Sequence, residues 1–470
     1  MYTVPDEYYI RLHHVRPRFK GDIENVLIYM ASEIAKLPEL PSNEFAERVN
    51  AAVRLFPGNA TSKLKTINNW RTEISSLFGF IENDGTHSKC GLRARELSEN
   101  EDLVESFKVF LFNFQYPGAH IKSHSVLELI ENGVHFKPAQ YILKMIQYAE
   151  QQTGGRVGIT KAEVCHMIFN DLRVVRDNEH IGHVWERIKE NRESGTEYDQ
   201  TGDVIRYAGD IIDYMEIANL LITYDSRMYY LNTLENEAIL KFVNSAEWFS
   251  EYDSMITARH GSLDAINSCR QGWFRYVNRE LTDTDFSTDI LAFIAEDSEE
   301  YEELVQAAHD LFKERLEAEV EISTKDIGDI GESLVHGHEC ERVRIGGRPD
   351  LVHLIKRIPT QFAVGYDISS TEIDERKRYI EVKTTISAKP LHFNKVHLTR
   401  NEWNVADSTK DRYFIYRLML SKGERKLYLI QDPVGLYKKD IISMVPNNGA
   451  DIIFNTDTAG IYEELLSWRG

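Results

Sequence analysis

Apolar residues recur at helical spacing along much of the N-terminal half of the chain. Phe45, Val49 and Val53 lie about one turn apart and predict a helix that stops at the breaker Pro57-Gly58-Asn59. A second helix is predicted over residues 61–78. Its inward positions are Leu64, Ile67, Trp70, Ile74 and Leu77.

A hairpin is expected after these two helices. Residues 80–82 and a second short run that ends at Leu92 have strand character, and Asn83-Asp84-Gly85 between them favours a tight turn. Helix, turn, helix and hairpin is the order of a winged-helix module. The pattern therefore predicts a winged-helix-like DNA-recognition module over residues 1–125.

The outward face of the second predicted helix is rich in side chains that bind DNA in other proteins. It carries Lys63, Lys65, Asn68, Asn69 and Arg71. Lys and Arg bind guanine in the major groove and Asn binds adenine, so the composition suits a recognition helix. An ordinary amphipathic helix with a polar face explains the same pattern, and both interpretations stay open at this point.

Residues 126–240 repeat this theme with little sequence identity. The predicted elements are helices over 139–151, 161–172 and 204–220 and a tight hairpin over 221–231. Thr160 is the expected N-cap of the middle helix. We therefore predict a second winged-helix-like module over 126–240, in which the polar residues 184–198 form a mobile insertion.

Residues 241–322 have helical spacing and predict a helical connector between the N-terminal modules and the C-terminal part of the chain. The expected helical segments are 238–245, a middle segment around 273–277, and 301–320. The aromatic residues Trp248, Phe249, Trp273, Phe274 and Tyr276 are expected in the core rather than as base-stacking platforms. The acidic cluster over 296–303 is interpreted as the solvated start of a helix, with autoinhibition of DNA binding as the alternative.

The C-terminal part of the chain changes to strand spacing. Residues 365–368 and 378–385 are rich in β-branched and aromatic residues, with polar residues between them that predict a turn. Alternate side chains of a strand share a face, so Glu381 and Lys383 point to the same side. Asp367 lies near the end of the first predicted strand, after the apolar run 362–364. Two carboxylates and one ammonium group are therefore expected close together.

This combination suits metal-assisted hydrolysis of a phosphodiester. Hard oxygen ligands hold Mg²⁺, and a nearby cation orients the attacking water or helps to deprotonate it. Glu-x-Lys also begins at Glu375 and at Glu424, in charged, turn-like sequence where it is expected to be solvated. The motif alone is therefore unspecific, and an exposed face of an ordinary strand is the competing interpretation.

A third carboxylate, Glu332, lies on a predicted helix upstream of these strands. Ser323 or Thr324 is the expected cap of this helix, with Asp326 in its first turn. Its apolar stripe consists of Ile327, Ile330, Leu334 and Val335.

The order of helix-Glu, strand-Asp and strand-Glu-x-Lys resembles the PD-(D/E)xK nuclease superfamily. More narrowly, this part of the chain resembles the C-terminal domain of the NO VEIN family. The similar blocks are Gly331-Glu332, Gly365-Tyr366-Asp367-Ile368, Ile380-Glu381-Val382-Lys383-Thr384-Thr385, Phe393, Leu398-Thr399 and Asn401-Glu402-Trp403. Tyr366 stands where the superfamily name has proline, which bears on the turn rather than on the chemistry.

The resemblance implies Mg²⁺-dependent DNA cleavage. It implies Asp367 and Glu381 as metal ligands, Lys383 at the attacking water, and Glu332 in support of the site. It also implies a C-terminal α/β restriction-endonuclease-like domain over 323–470, with a mixed sheet flanked by helices. Related domains include inactive ones, so the resemblance implies the site rather than proving cleavage.

The rest of this domain follows from local signals. Thr399 is the expected cap of a helix that runs to Ala406, with Glu402 as its capping-box partner, a role that we prefer to metal binding. A final hairpin is predicted from strands over 413–420 and 426–430. His336 and His338 flank a glycine without a third ligand at useful spacing, so they are expected at the surface or at a helix cap.

Tandem recognition modules ahead of a nuclease resemble the layout of several restriction endonucleases with separate recognition and cleavage domains. The resemblance is architectural and has no residue-by-residue match. It implies double-stranded DNA as the partner, a homodimer for cleavage of both strands, and a possible cognate DNA methyltransferase.

The composition indicates the class of protein and the compartment in which it is expected. The chain has 470 residues, of which 42% are hydrophobic and 28% charged, which is ordinary for a globular protein of two to four domains. Its four cysteines are scattered, which predicts reduced thiols, and no run is apolar enough to span a membrane. A soluble cytoplasmic protein is expected. The net charge of −20 requires that any DNA contact be made by locally basic surface.

Three hypotheses follow. The first is a site-specific, Mg²⁺-dependent restriction-type endodeoxyribonuclease, and the second is a nuclease of a defence or repair system that acts on modified or structured DNA. The third is a non-cutting DNA-binding regulator that retains the nuclease scaffold. The intact set of Asp367, Glu381, Lys383 and Glu332 argues against the third, because a scaffold has no physical need for a buried charge cluster.

Overall fold

The computed structural model describes residues 1–14, 19–225, 227–282, 284–295, 297–313, 325–359 and 363–466. The chain forms two compact units, Met1–Phe286 and Ser287–Gly470. The finer division into four parts stays a prediction. Within the described ranges, no helix is both long enough and apolar enough to cross a membrane.

The first unit is built mainly from helices. They are α1 (Ile23–Ala35), α2 (Ser42–Leu55), α3 (Leu64–Phe78), α4 (Leu92–Asn100), α5 (Leu103–Asn113), α6 (Ser123–Glu131), α7 (Pro138–Thr153), α8 (Lys161–Val164), α9 (Leu172–Val175), α10 (Ile181–Glu193), α11 (Gly202–Ile217), α12 (Asn236–Asn244), α13 (Asp253–Ala258), α14 (Leu263–Ser268) and α15 (Arg270–Val277). The strands are β1 (Leu40–Pro41), β2 (Ile81–Asn83), β3 (His87–Cys90), β4 (Leu221–Thr223) and β5 (Tyr229–Leu231).

The first helix pair and hairpin form as the pattern predicted. The predicted stripes of α2 and α3 are buried at Phe45, Val49, Ile67 and Ile74. Strand β1 pairs with the hairpin and completes an antiparallel sheet in the order β1-β3-β2. Leu64, expected inward, is 59% exposed, because it is the first residue of α3 and lies beyond the packed part of the helix.

The second predicted hairpin is also present, formed by β4 and β5. The cap at Thr160 is confirmed as a capping box with Glu163, but α8 is short and continues as a π-helical turn, Cys165–Phe169. The prediction of a mobile insertion over 184–198 is wrong. Residues 184–193 belong to α10, since Val184, Trp185 and Ile188 share a buried face that the surrounding charges hid in the sequence.

Three of the five aromatic residues of the predicted connector that were expected in the core are buried there. Phe249, Trp273 and Phe274 are buried in the first unit, and Trp273 packs edge-on against Phe249 with ring centroids 5.3 Å apart. Trp248 and Tyr276 are only half-buried. The rings of Phe249, Trp273 and Tyr276 are therefore packed against one another rather than displayed for stacking on bases.

The second unit combines helices with two sheets. Its helices are α16 (Ile290–Ile294), α17 (Ser298–Lys313), α18 (Ile327–Ile345), α19 (Arg400–Thr409), α20 (Pro433–Lys438) and α21 (Thr456–Ala459). Its strands are β6 (Lys356–Arg357), β7 (Ile368–Thr371), β8 (Lys377–Ser387), β9 (Lys395–Thr399), β10 (Tyr413–Ser421), β11 (Glu424–Gln431), β12 (Ile442–Pro446), β13 (Gly449–Phe454) and β14 (Ile461–Glu464).

The larger sheet has the order β14-β11-β10-β8-β7-β6. Strands β8 and β10 are parallel and the other pairs are antiparallel, so the expected mixed sheet is confirmed. The smaller sheet is antiparallel, in the order β12-β13-β9. The predicted hairpin corresponds to β10 and β11, and α19 begins with the expected capping box of Thr399 and Glu402.

The acidic cluster over 296–303 begins a helix, as predicted. Asp297 accepts a hydrogen bond from the backbone N–H of Glu300 at 2.8 Å, and the acidic side chains of the first turn of α17 face solvent or are half-buried. Residue 296 and the predicted helical residues 314–320 lie outside the described residues.

Strand β7 differs from its prediction. Asp367 precedes β7 rather than ending a strand, and the polar residues 369–371, expected in a turn, form the strand itself. Polar side chains can line a buried strand when they have partners, and the Ser370 hydroxyl donates to the buried Glu339 carboxylate at 2.6 Å. Of the apolar run expected before Asp367, residue 362 lies outside the described residues.

Asp326 is the N-cap of α18, and its side chain accepts a hydrogen bond from the Asp329 backbone N–H. Ser323 and Thr324, the expected caps, lie outside the described residues. The predicted apolar stripe is buried at Ile330, Leu334 and Val335 and half-buried at Ile327.

The expectation for His336 and His338 is wrong. Each is 1% exposed, because the helix packs closely enough on the sheet to enclose them. His336 lies 3.2 Å from the Ile355 carbonyl, and His338 accepts from the Leu466 backbone N–H. The imidazoles therefore serve the packing of α18.

The core of the first unit contains an ion pair whose loss should destabilise it strongly. The Lys108 ammonium donates to the Glu235 carboxylate at 2.7 Å, and Asn219 donates to its other oxygen. In Lys108→Ala, the Glu235 charge would stay buried without its cation, so we expect a loss of about 3–5 kcal/mol in the free energy of unfolding.

Chemical denaturation of the full chain measures this loss. Arg48→Ala, which removes the exposed helical pair of Arg48 with Glu44, is the control and should cost less than about 0.5 kcal/mol. Equal unfolding midpoints for the two variants would contradict the prediction.

Candidate active site

The pairing of β7 with β8 brings Asp367 to Glu381. The Asp367 backbone N–H donates to the Ile380 carbonyl at 2.9 Å. Its side-chain Oδ2 in turn accepts from the Val382 backbone N–H at 2.8 Å. The Asp367 carboxylate is thus held across the strand pair, beside the candidate residue Glu381 on β8.

Glu381 and Lys383 share a face of β8, as alternation predicted. The Lys383 ammonium donates to Glu381 Oε1 at 2.5 Å, and it also lies 3.4 Å from Glu402 Oε2. Glu381 is 3% exposed, whereas Lys383 is half-buried. One ammonium group therefore contacts two carboxylates at the end of the site that solvent can reach.

Glu332 reaches the site from α18. The helix approaches β8 so closely at Gly331 that a Cβ there would lie 1.9 Å from Thr384 Oγ1. Glu332 accepts from the Arg357 guanidinium at 2.8 Å, and Asp329 shares that guanidinium. The glycine permits the helix to bring a third carboxylate to the cluster.

The electrostatics of the cluster are dominated by buried negative charge. Burial, with the Asp367 charge second, raises the pKa of Glu332 to about 7 against the opposing effect of Arg357. Burial likewise raises the pKa of Asp367 and that of Glu381, and the Asp367 and Glu402 charges add to the rise at Glu381. Burial opposes charge on Lys383, but Glu381 and Glu402 outweigh it and raise the pKa of the ammonium.

Two members of the site had no functional signal in the sequence. Glu402 was assigned only to the capping box, and the structure shows it in that box and in contact with Lys383. Arg357 lies in a short edge strand without a recognisable motif. Only the fold places its guanidinium against Glu332 and Ser333, at 2.8 and 3.0 Å.

In the described part of the chain, no three or more His, Cys, Asp or Glu side chains are arranged so that they alone would hold a metal ion. The donors of the cluster are hard carboxylate oxygens. These donors match Mg²⁺ in kind, and Mg²⁺ is commonly held by one or two carboxylates, with water and phosphate oxygens as the other ligands.

The candidate recognition residues lie on or just before α3, but they are not equivalent. Lys63 and Lys65 are exposed. Arg71 donates to Asn50 Oδ1 at 3.1 Å, and Asn68 accepts from the Asn50 amide at 3.0 Å, so both contact α2. Asn69 is half-buried. The sequence pattern placed all five residues on one polar face. It could not show that Asn68 and Arg71 connect α3 to α2.

Comparison with known proteins gives two family matches. Residues 2–274 match the model described as restriction endonuclease BpuJI, N terminal, and residues 331–430 match the model described as protein NO VEIN, C-terminal. The second match contains Glu332, Asp367, Glu381 and Lys383. A search of curated proteins gave no match.

A solved structure resembles the N-terminal part of the chain. It is a crystal structure of pyrene- and phenanthrene-modified DNA in complex with the BpuJ1 endonuclease binding domain. The match covers 59% of this chain and 100% of that one, with a TM-score of 0.52 and 22% sequence identity, which establishes a similar fold. Since the first family model spans more than half of the sequence, the chain belongs to the restriction endonuclease BpuJI N-terminal family.

Proposed function

We propose that the protein is a site-specific, Mg²⁺-dependent endodeoxyribonuclease of restriction type. The observation that carries the proposal is the cluster of Asp367, Glu381 and Lys383, with Glu332 beside it, in the part of the chain that matches the NO VEIN model. The same chain contains a part that belongs to a restriction-endonuclease family. The order of a helix with Glu332, Asp367 just before β7, and Glu-x-Lys on β8 supports a PD-(D/E)xK nuclease.

Each residue of the cluster has a role in this proposal. Asp367 and Glu381 would hold Mg²⁺, which would polarise the phosphoryl oxygen and lower the pKa of bound water. Lys383, on the more exposed side, would orient the attacking water. Glu332, with a pKa near neutrality, would accept a proton at the edge of the site.

The N-terminal unit would bind double-stranded DNA. Helices α2 and α3 followed by the β2–β3 hairpin, with β1 completing the sheet, support a winged-helix interpretation. The related BpuJ1 binding domain was crystallised with DNA, which supports the same partner here. One cluster of this kind cuts one strand, so a double-strand break would require two copies of the chain.

Removal of a cluster residue should abolish cleavage and preserve binding. We expect Asp367→Ala or Lys383→Ala to lower the cleavage rate by roughly 100-fold or more, because each removes a charge aligned with the reaction. Wild type and variants are incubated with unmethylated and methylated plasmid in Mg²⁺, and DNA binding is measured in parallel.

The matched control is Lys426→Ala, which removes the lysine of the solvent-accessible Glu424-x-Lys426 motif. It should cut as wild type does. Discrete fragments from wild type and control alone support a site-specific nuclease, whereas a smear means weak sequence choice. Binding without cutting of either plasmid by wild type would favour a non-cutting regulator.

The raised pKa of Glu332 should make metal-free stability depend on pH. The folded state keeps this proton up to about pH 7, whereas the unfolded state releases it near pH 4.5. The free energy of unfolding should therefore fall as pH rises from about 4.5 to 7, by about 3 kcal/mol in total. In Glu332→Gln this part of the fall should disappear.

Denaturation in EDTA at several pH values measures the effect, with Glu424→Gln on the half-buried surface of β11 as the control. Adding Mg²⁺ should restore wild-type stability most at pH 8, where the carboxylates are charged. If the free energy of unfolding depends on pH in the same way in wild type and in Glu332→Gln, the raised pKa of Glu332 is contradicted.

The two exposed lysines beside α3 should contribute to DNA affinity. Each lost contact costs about 1–3 kcal/mol, so Lys63→Ala with Lys65→Ala should weaken binding at least tenfold while leaving the fold intact. Lys122→Ala, at an exposed position just before α6, is the control. Arg71→Ala should also lower stability, because it loses the contact with Asn50. Unchanged affinity in the double lysine variant would make this helix structural.

A further inference from the structure

The sequence between two residues of the candidate site is free of acidic residues. No Asp or Glu occurs between Glu381 and Glu402, although the chain as a whole has a net charge of −20. The same stretch contains Lys395, His397 and Arg400. Their place in the fold is on β9 and at the first residue of α19, which leads directly into Glu402.

The cationic side chains of β9 lie on the face of the strand opposite its core-facing residues. Val396 and Leu398 are 2% and 0% exposed, so they face the core, and the alternate residues Lys395, His397 and Thr399 share the other face. The His397 side chain is 45% exposed and that of Lys395 is 19% exposed. The cationic side chains of β9 therefore lie on its outer face.

A buried carboxylate on the neighbouring strand orients both side chains. Asp451 on β13 is the direct cross-strand partner of His397, and its side chain is 5% exposed. Its Oδ1 lies 2.8 Å from His397 Nδ1, and its Oδ2 lies 3.3 Å from the Lys395 ammonium. An acceptor at Nδ1 places a proton there, and it fixes the ring so that Nε2 is directed away from Asp451.

This face leads to the candidate active site through a short chain of contacts. Thr399 is two residues from His397, about 7 Å along the strand. Its backbone N–H donates to Glu402 Oε2 at 2.9 Å, and the same oxygen lies 3.4 Å from the Lys383 ammonium. The capping box satisfies this helix end, so the side chains, rather than the helix terminus, supply positive charge here.

We propose that Lys395, His397 and Arg400 form a phosphate-binding arm that holds the DNA backbone beside the scissile phosphate. The proposal rests on the nuclease function proposed above and extends it. Lys395 and His397 contact one buried carboxylate, and the exposed Arg400 follows them at the start of α19, in an acidic protein whose polyanionic substrate can be bound only by local cations. The arm adds affinity without reading sequence, since phosphates carry no base identity.

The test measures how DNA affinity depends on salt, in the full chain. Each phosphate contact contributes about 0.9 to the slope of log affinity against log salt concentration. We expect Lys395→Ala with Arg400→Ala to reduce the slope by nearly two, and His397→Ala to weaken binding further. All variants are made in a Glu381→Gln background, with Mg²⁺ present, so that DNA stays uncut.

Two further variants separate the arm from general effects. Lys395→Arg with Arg400→Lys keeps both charges and should restore the slope, which a merely structural role would not require. Lys438→Ala removes a 62%-exposed lysine of α20 in the same unit and should leave the slope unchanged. An unchanged slope in the double alanine variant, or equal losses in Lys438→Ala, overturns the proposal.

Cleavage is measured separately, with the same substitutions made in the wild-type background. A slower single-turnover rate that the charge-preserving variants restore supports the arm. If the wild type cuts no DNA but the slope still falls in the double alanine variant, the nuclease proposal fails while phosphate binding by this face stands. The two failures are therefore distinguishable.

Discussion

The structure of the second unit depends on how the charges of its buried carboxylates are compensated by nearby partners. Burying a charge costs several kcal/mol unless partners compensate for it. Glu339, on α18, is fully buried and compensated: Arg342 binds both of its oxygens, and Ser370 and Tyr416 donate to it at 2.6 and 2.9 Å. Burial alone would raise its pKa, but Arg342, Arg378 and Ser370 outweigh burial and lower the pKa.

Two turns earlier on the same helix, the balance is the opposite. Glu332, together with Asp367 and Glu381, keeps a raised pKa despite Arg357 and Lys383. One helix therefore carries a neutralised carboxylate that fixes it to β7 and β10 and a second that is left short of positive charge. The first supplies the rigidity that makes the second tolerable, and a divalent cation would supply the missing charge.

Local chemistry explains what the sequence could predict. Alternation placed Glu381 and Lys383 on one face of β8, and a capping box located the start of α19. The errors came from contacts made over long separations. The polar residues of β7 indicated a turn because the sequence does not show that Ser370 binds the buried Glu339 on another element. Likewise, α10 read as an insertion because its narrow apolar face is surrounded by charged residues that make distant ion pairs, such as Arg192 with Glu163.

The net charge of −20 is compatible with DNA binding when charges are considered locally. Screening confines the influence of an exposed charge to about 8–10 Å, so an acidic chain can bind DNA wherever cations locally outnumber carboxylates. The sequence does this twice: no Asp or Glu lies between Glu47 and Glu73, around α3, or between Glu381 and Glu402, around β9. One stretch includes the candidate recognition lysines and the other the phosphate-binding arm. Each unit thus has its own region suited to a polyanion, as the proposed division between recognition and cleavage requires.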